Sequence, residues 1–320
     1  MVNRLLSILD VQYPIIQGGM GNISNAILTS AVSEAGGLGT IGAGTMTPEE
    51  VESIIIETKN RTNKPFALNV ALTVSPYPKE MLQLAIKYKL KAVSLSAGNP
   101  SPYIGKLKEH GIKVLTVVAS CKQAKKAENA GADIVVAEGY EAAGINSNLE
   151  TTTFVLIPQI VDSVEIPVIA AGGIGDGRGL VAAMALGASG VQIGTRLIAT
   201  SDSPFHPHYK TKIVDSKDDE TIIVGRSVGR IRRVLKTPYS QHLLSKEKEG
   251  ITLEQFNELT TEVILLLGAL DGGFDRGGRR GGRSRPGGLP LSRRPVHTRP
   301  PPAGHPPRRH PVRVTAVHPV

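Results

Sequence analysis

The chain has 320 residues, 40% of them hydrophobic but only 4% aromatic and none Trp, so any large core must be aliphatic. Its formal net charge of +9 points to an anionic partner until it is located: from Gly268 onward there are eleven Arg, no Lys and two Asp, which is the whole excess. The body before that point is neutral, so the basic balance is a property of residues 268–320 and says nothing about what the body binds.

In chain order, short apolar stretches alternate with helical ones. Strands are expected at Pro14–Gln17, Leu38–Gly42, Phe66–Leu72, Ala92–Ser96, Lys113–Val118, Ile134–Glu138, Pro167–Ala171 and Val191–Gly194. Most of these begin one βα unit apart, and eight such units predict a parallel α/β fold closed as a (β/α)8 TIM barrel over residues 1–200, with an open doubly wound sheet as the alternative. Ser24 is expected to cap a helix through Ala35, Thr47-Pro48-Glu49-Glu50 to start the next, and Gly131 and Gly187 to end later ones.

After Thr195 the alternation stops. Residues 201–267 are expected to form a smaller, mostly helical subdomain, inserted after the eighth strand and lying over the barrel mouth. Residues 268–320 are rich in Arg, Gly and Pro, as in Arg276-Gly277-Gly278-Arg279-Arg280, and are expected to be a disordered tail. An RNA-gripping tail and an aberrant, out-of-frame end both fit that composition. Arg without a single Lys, beside a Lys-rich body, favours the second.

The segment Ala170-Ala171-Gly172-Gly173-Ile174-Gly175 and the following Gln192-Ile193-Gly194-Thr195 place glycines at the C-terminal edges of two successive strands. Barrel enzymes bind phosphate in the loops after strands seven and eight, where glycine lets backbone N–H groups approach oxygen and a following helix adds its positive end. Thr195 adds a hydroxyl; a plain strand-to-helix turn is the alternative. Gln17-Gly18-Gly19-Met20-Gly21 offers bare backbone and a soft apolar contact for a flat ring, or a simple turn. Asn69 interrupts an apolar strand and needs hydrogen-bond partners, from a ligand or from the core itself. Glu138, at the end of the sixth strand, is placed to meet a cofactor chain or a substrate, or to hold a backbone amide. Glu141 is expected to be solvated or to touch the subdomain.

Cys121, the one cysteine, excludes an intramolecular disulfide and favours a cytoplasmic location; at a helix start with no His beside it, it is read as structural. No signal peptide or membrane span is expected. His206 and His208 have a pair spacing but no third ligand, so no metal is expected.

Together and in this order, the three glycine clusters resemble those of the nitronate monooxygenase (2-nitropropane dioxygenase) family and its relatives, the flavin-dependent enoyl-ACP reductases and NADH:quinone reductases. The resemblance spans about Met1 to Leu270. It implies an FMN-dependent oxidoreductase of small nitronates with O2 as acceptor, or NAD(P)H as electron donor in the reductase alternative. It maps cofactor contacts onto Gly18, Gly19, Met20, Asn69, Glu138, Gly139, Gly144, Gly172, Gly173, Gly194 and Thr195. Many members carry a His in the sixth-strand loop where this chain has Ile145, which cannot move a proton, so the catalytic residue is left unassigned and a catalytically impaired flavin-binding barrel is a further alternative. The chain also departs from the family at Gly273, where a Gly-Gln-containing return segment is expected. IMP dehydrogenase-like barrels share the phosphate glycines but need a Cys in the loop Glu138–Gly144, which has none. The expected partners are a small-molecule substrate and an electron acceptor, with neither nucleic acid nor membrane.

Overall fold

Eight parallel strands follow one another in the computed structural model, which describes residues 3–21, 23–201 and 203–260. They are β1 (Ile15–Gln17), β2 (Gly39–Gly42), β3 (Phe66–Ala71), β4 (Ala92–Ser96), β5 (Lys113–Val118), β6 (Ile134–Glu138), β8 (Val168–Ala171) and β9 (Gly190–Ile193). Between β6 and β8 lies β7 (Gly144–Ile145), which belongs to another sheet. The barrel order is β1-β9-β8-β6-β5-β4-β3-β2. The ring is closed by a parallel bridge between Ile16 and Leu38, in which Gln17 N donates to Leu38 O at 2.9 Å and Leu38 N to Ile15 O at 3.0 Å. The architecture is the expected (β/α)8 barrel.

The period-two alternation of strands divides the apolar residues into two layers. Ile16, Leu38, Ala67, Leu115, Val136 and Ile169 face inward and fill the barrel, whereas Leu68, Val93, Val114, Val135, Val168 and Val191 face the surrounding helices. The inner layer is closed from the N-terminal side by the helix Arg4–Leu9, whose Leu5 and Leu9 are fully buried in it. Asn3 fixes that helix twice: its side chain accepts from Leu5 N, and its Nδ2 donates to Ser189 O at 2.7 Å, just before β9. With this end sealed, the C-terminal edge is left for a ligand.

The outer helices start where their capping residues permit. Thr47 and Glu50 form a reciprocal capping box around Pro48. The helix expected to be capped by Ser24 is instead Ala26–Glu34, capped by Asn25, whose side chain accepts from Leu28 N. Ser24 is drawn into longer-range bonds. Its Oγ donates to Met20 O at 2.7 Å and accepts from Gly42 N at 2.8 Å, locking the loop after β1 to the end of β2.

After β9 the chain forms the helices Thr195–Ile198, Pro207–Asp215, Pro238–Lys248 and Leu253–Leu259. Between them, in a segment expected to be mostly helical, runs an antiparallel hairpin, β10 (Thr221–Val224) and β11 (Arg232–Leu235). Val224, Leu243 and Phe256 form its small core. β11 also pairs antiparallel with β7, Arg233 opposite Gly144 and Arg232 opposite Ile145, so the loop after β6 is a third strand of this sheet. The barrel and this segment belong to one compact unit. The expectations for 261–267 and for the tail fall outside the described residues.

Candidate functional site

The glycines after β1 leave the barrel edge packed against its neighbours. Gly18 N donates to Ile193 O at 2.8 Å, tying this loop to β9. A Cβ on Gly19 would stand 2.3 Å from Asn69 Cβ, and one on Gly42 would stand 2.7 Å from Met20 N. Absent side chains here first allow the loop Gly18–Met20 to lie flat across the ends of β2 and β3. Gly19 nevertheless keeps an exposed face and Met20 a partly exposed one.

Asn69 is buried on the inward side of β3, opposite Ser94 of β4. Its Nδ2 lies 3.2 Å from Ser94 O, 3.3 Å from Ser94 Oγ and 3.2 Å from Ser96 Oγ. The protein itself therefore satisfies the amide nitrogen, and Asn69, Ser94 and Ser96 form a neutral polar arc on one wall of the mouth.

On another wall, Glu138 ends β6 in register with Ala171 of β8. The inner-layer positions Ile134 and Val136 on the same strand place Glu138 inward by alternation. Burial pushes its carboxyl up to about 7, because the charged form loses water without gaining a counter-ion. Among the described residues it receives no hydrogen bond and forms no ion pair, so it does not hold a backbone amide.

The rest of this loop is heavily committed. A Cβ on Gly139 would stand 2.1 Å from Thr153 Oγ1, so glycine is needed there for the chain to pass. Glu141 is exposed, as expected, but one of its oxygens is committed: Oε2 lies 2.8 Å from both Thr153 N and Thr153 Oγ1, capping the helix Thr153–Val161. Thr153 Oγ1 also reaches Gly172 O at 3.0 Å, which links the loops after β6 and β8. Farther along, Arg226 binds Glu150 through Nε–Oε1 at 2.8 Å and Nη2–Oε2 at 3.1 Å, and reaches the Tyr140 hydroxyl. The bond from Arg226 holds the Glu150 carboxyl below its usual range. Arg233 stacks over the Tyr140 ring at 5.1 Å and donates to Tyr140 O at 3.0 Å. These two arginines, together with the β7–β11 pairing, clamp the loop to the hairpin. Neither arginine stands in a motif, so the sequence alone does not reveal them; the run Thr221-Ile222-Ile223-Val224-Gly225 was the available sign of a strand and turn.

Gly172 and Gly173 follow β8 with φ of +104° and +72°, in the left-handed region that glycine adopts freely. Gly194 follows β9, the neighbouring strand, and a Cβ on it would meet nothing within 4 Å. It precedes the short helix Thr195–Ile198, whose N-terminus has no side-chain cap. Thr195 and Gly173 are exposed. The helix after β8, Gly177–Ala185, does not offer its N-terminus as expected: Asp176 caps it through Arg178 N and Gly179 N, and Arg178 pairs with Asp176 at 2.5 Å. The open backbone therefore lies at Gly172-Gly173 and Gly194-Thr195.

The remaining candidates occupy packing and capping positions. Cys121 begins the helix Cys121–Asn129 and packs against the outer apolar layer. His206 Nδ1 accepts from His208 N at 3.2 Å, capping the helix Pro207–Asp215. No helix among the described residues is long and apolar enough to cross a membrane.

The profile of the nitronate monooxygenase family matches residues 3–81 and 71–278. A probable nitronate monooxygenase of Staphylococcus saprophyticus is 34% identical over 304 residues, 81% of this chain and 86% of the relative. A hydroxy-methyl-oxo-octahydroindene-carboxyl-CoA dehydrogenase of Rhodococcus jostii is 37% identical over 73% of this chain, which spans 65% of that relative's length. Among solved structures, FabK from Thermotoga maritima superposes with a TM-score of 0.81 at 44% identity, covering 86% of each chain.

Proposed function

The chain belongs to the nitronate monooxygenase family of oxidoreductases, and from that premise we propose that it is an FMN-dependent oxidoreductase that oxidises small nitronates with O2. The observation that carries this reading is the pair of glycine loops leaving the adjacent strands β8 and β9 at the open edge of the barrel. Open space around Gly194, positive φ at Gly172 and Gly173 and an uncapped helix start at Thr195 fit a phosphate monoester.

Each wall of the mouth then has a part to play. Gly172, Gly173, Gly194 and Thr195 would hold the phosphate with backbone N–H groups and a hydroxyl. Gly18, Gly19 and Met20 would lie against the ring, Gly19 through its exposed face. Asn69, anchored on Ser94 and Ser96, would present its carbonyl oxygen as an acceptor in a fixed direction. Gly139 and Gly144 would shape the loop that follows Glu138. Bound FMN supplies hydride or single-electron chemistry, and the chain supplies orientation and exclusion of competing reactions.

The test is oxygen uptake by the FMN-loaded chain with an alkyl nitronate. Uptake that depends on the nitronate supports the reading, and none above the free-FMN rate contradicts it. A second reading, an NAD(P)H-dependent enoyl-thioester reductase, is favoured by the 44% identity to FabK and by a relative whose name specifies a CoA thioester. Ile145, in place of a proton-moving side chain, is compatible with it. It predicts NAD(P)H oxidation that requires an enoyl thioester.

A further inference from the structure

We propose that Glu138 is the general base of the barrel mouth, taking the α-proton from a small activated carbon acid such as a neutral nitroalkane; this deepens the oxidoreductase reading above and rests on it. The geometry isolates one group for that role. Glu138 ends β6 on the inward side, level with Ala171, and its carboxyl has no hydrogen-bond or ion-pair partner among the described residues. The other polar side chains on inward positions of the edge, Asn69, Ser94, Ser96 and Gln192, do not titrate. Glu138 is half-buried rather than sealed, with Ala119, Tyr140, Asn146, Ser147, Glu150 and Thr151 around it.

The surrounding elements bring no counter-ion. β8 and the helix Thr153–Val161 contain no titratable side chain, and Lys113 stands at the far end of β5. Cys121, Lys122, Lys125, Lys126 and Glu128 belong to the helix on the outer face of β5 and β6. On the loop itself, Glu141 is spent on Thr153, while Glu150 and Tyr140 are spent on Arg226 and Arg233 stacks on Tyr140. A carboxyl left without these partners is held near neutrality by burial, where it both binds and releases a proton at working pH.

The step balances without an oxidant. The carboxylate oxygen of Glu138 forms an O–H bond to the α-proton, the C–H bond breaks, and its electron pair stays on the substrate as the nitronate. The proton later leaves to water through the mouth.

The experiment measures α-proton exchange of nitroethane in D2O by NMR, together with oxidation of nitroethane and of preformed ethyl nitronate. Wild type, Glu138→Gln and Glu138→Asp are compared. Wild type is expected to accelerate exchange above the buffer rate, E138Q to abolish that acceleration, and E138D, which keeps a carboxyl, to retain part of it. In oxidation, E138Q should lose at least about 100-fold more activity with nitroethane than with the nitronate. Equal exchange by wild type and E138Q, or equal loss on both substrates, overturns the proposal. If wild type oxidises neither compound, the oxidoreductase reading fails on its own, and the exchange rates still decide whether Glu138 moves the proton.

Discussion

The Asn69 side chain fills the space beside Gly19: a Cβ on Gly19 would stand 2.3 Å from Asn69 Cβ and 2.4 Å from its Cγ. The loop after β1 is thus seated on the same residue that Ser94 and Ser96 hold in place. Gly19→Ala is expected to destabilise the chain by roughly 1–3 kcal/mol, as overpacking does, and to dislodge Asn69 from the serines. Asn69→Gly removes the obstacle, Cβ included, so the double variant should recover part of the loss of stability. Thermal or denaturant unfolding of the two single variants and the double variant measures this coupling.

Gly194 gives the opposite result. Nothing lies within 4 Å of a Cβ built there, so Gly194→Ala should melt at the wild-type temperature. If the phosphate rests on this backbone, the methyl group displaces it, and FMN affinity should fall by roughly tenfold, the worth of about one hydrogen bond to a charged group. Fluorescence titration of free FMN, read beside the melting curve, separates binding from folding.

Arg226 clamps an exposed loop rather than the core, and an exposed ion pair adds little to global stability. Arg226→Ala is therefore expected to leave unfolding nearly unchanged while speeding hydrogen exchange of amides across 140–150. Unchanged exchange would mean that the β7–β11 pairing and Arg233 suffice to hold the loop. In the wild type the same release should occur in acid, once pH falls through the depressed pKa of Glu150 and its carboxylate is lost.

Much of the barrel was legible because a parallel strand covered on both faces is written locally as an apolar run. β4, β5 and β6 begin and end where the sequence placed them, and the other five differ by a residue at one end or both. What was not legible depends on distant partners. A two-residue strand, Gly144–Ile145, has no periodicity, and Arg232-Arg233-Val234-Leu235 reads as charged until Tyr140 and Glu150 are known to lie beside the hairpin's arginines. Ser24 looks like a cap by type, yet Gly42 N claims its hydroxyl across the loop. Likewise, the glycines at β8 and β9 could be found from spacing, but Asp176 closing the intervening helix could not be weighed without its bonds to Arg178 N and Gly179 N.

The raised pKa of Glu138 has a sign that can be checked in the FMN-free chain. Its folded carboxyl titrates at about 7 against 4.5 ordinarily, so between those values the folded state holds more protons than the unfolded one. Stability contributed by this residue must then fall as pH rises from about 4.5 to about 7 and level off above, by up to roughly 3 kcal/mol. Denaturant unfolding across this window should show that decline relative to Glu138→Gln. Parallel curves for the two chains would place Glu138 in water.

Whether this barrel holds FMN, on which the rest depends, is tested most directly by the visible absorbance spectrum of the purified chain, before and after FMN is added and free flavin is removed by desalting. A flavin spectrum that stays with the protein is the expected result, with weaker retention in Gly194→Ala at equal melting temperature. A folded chain that stays colourless after reconstitution would contradict it.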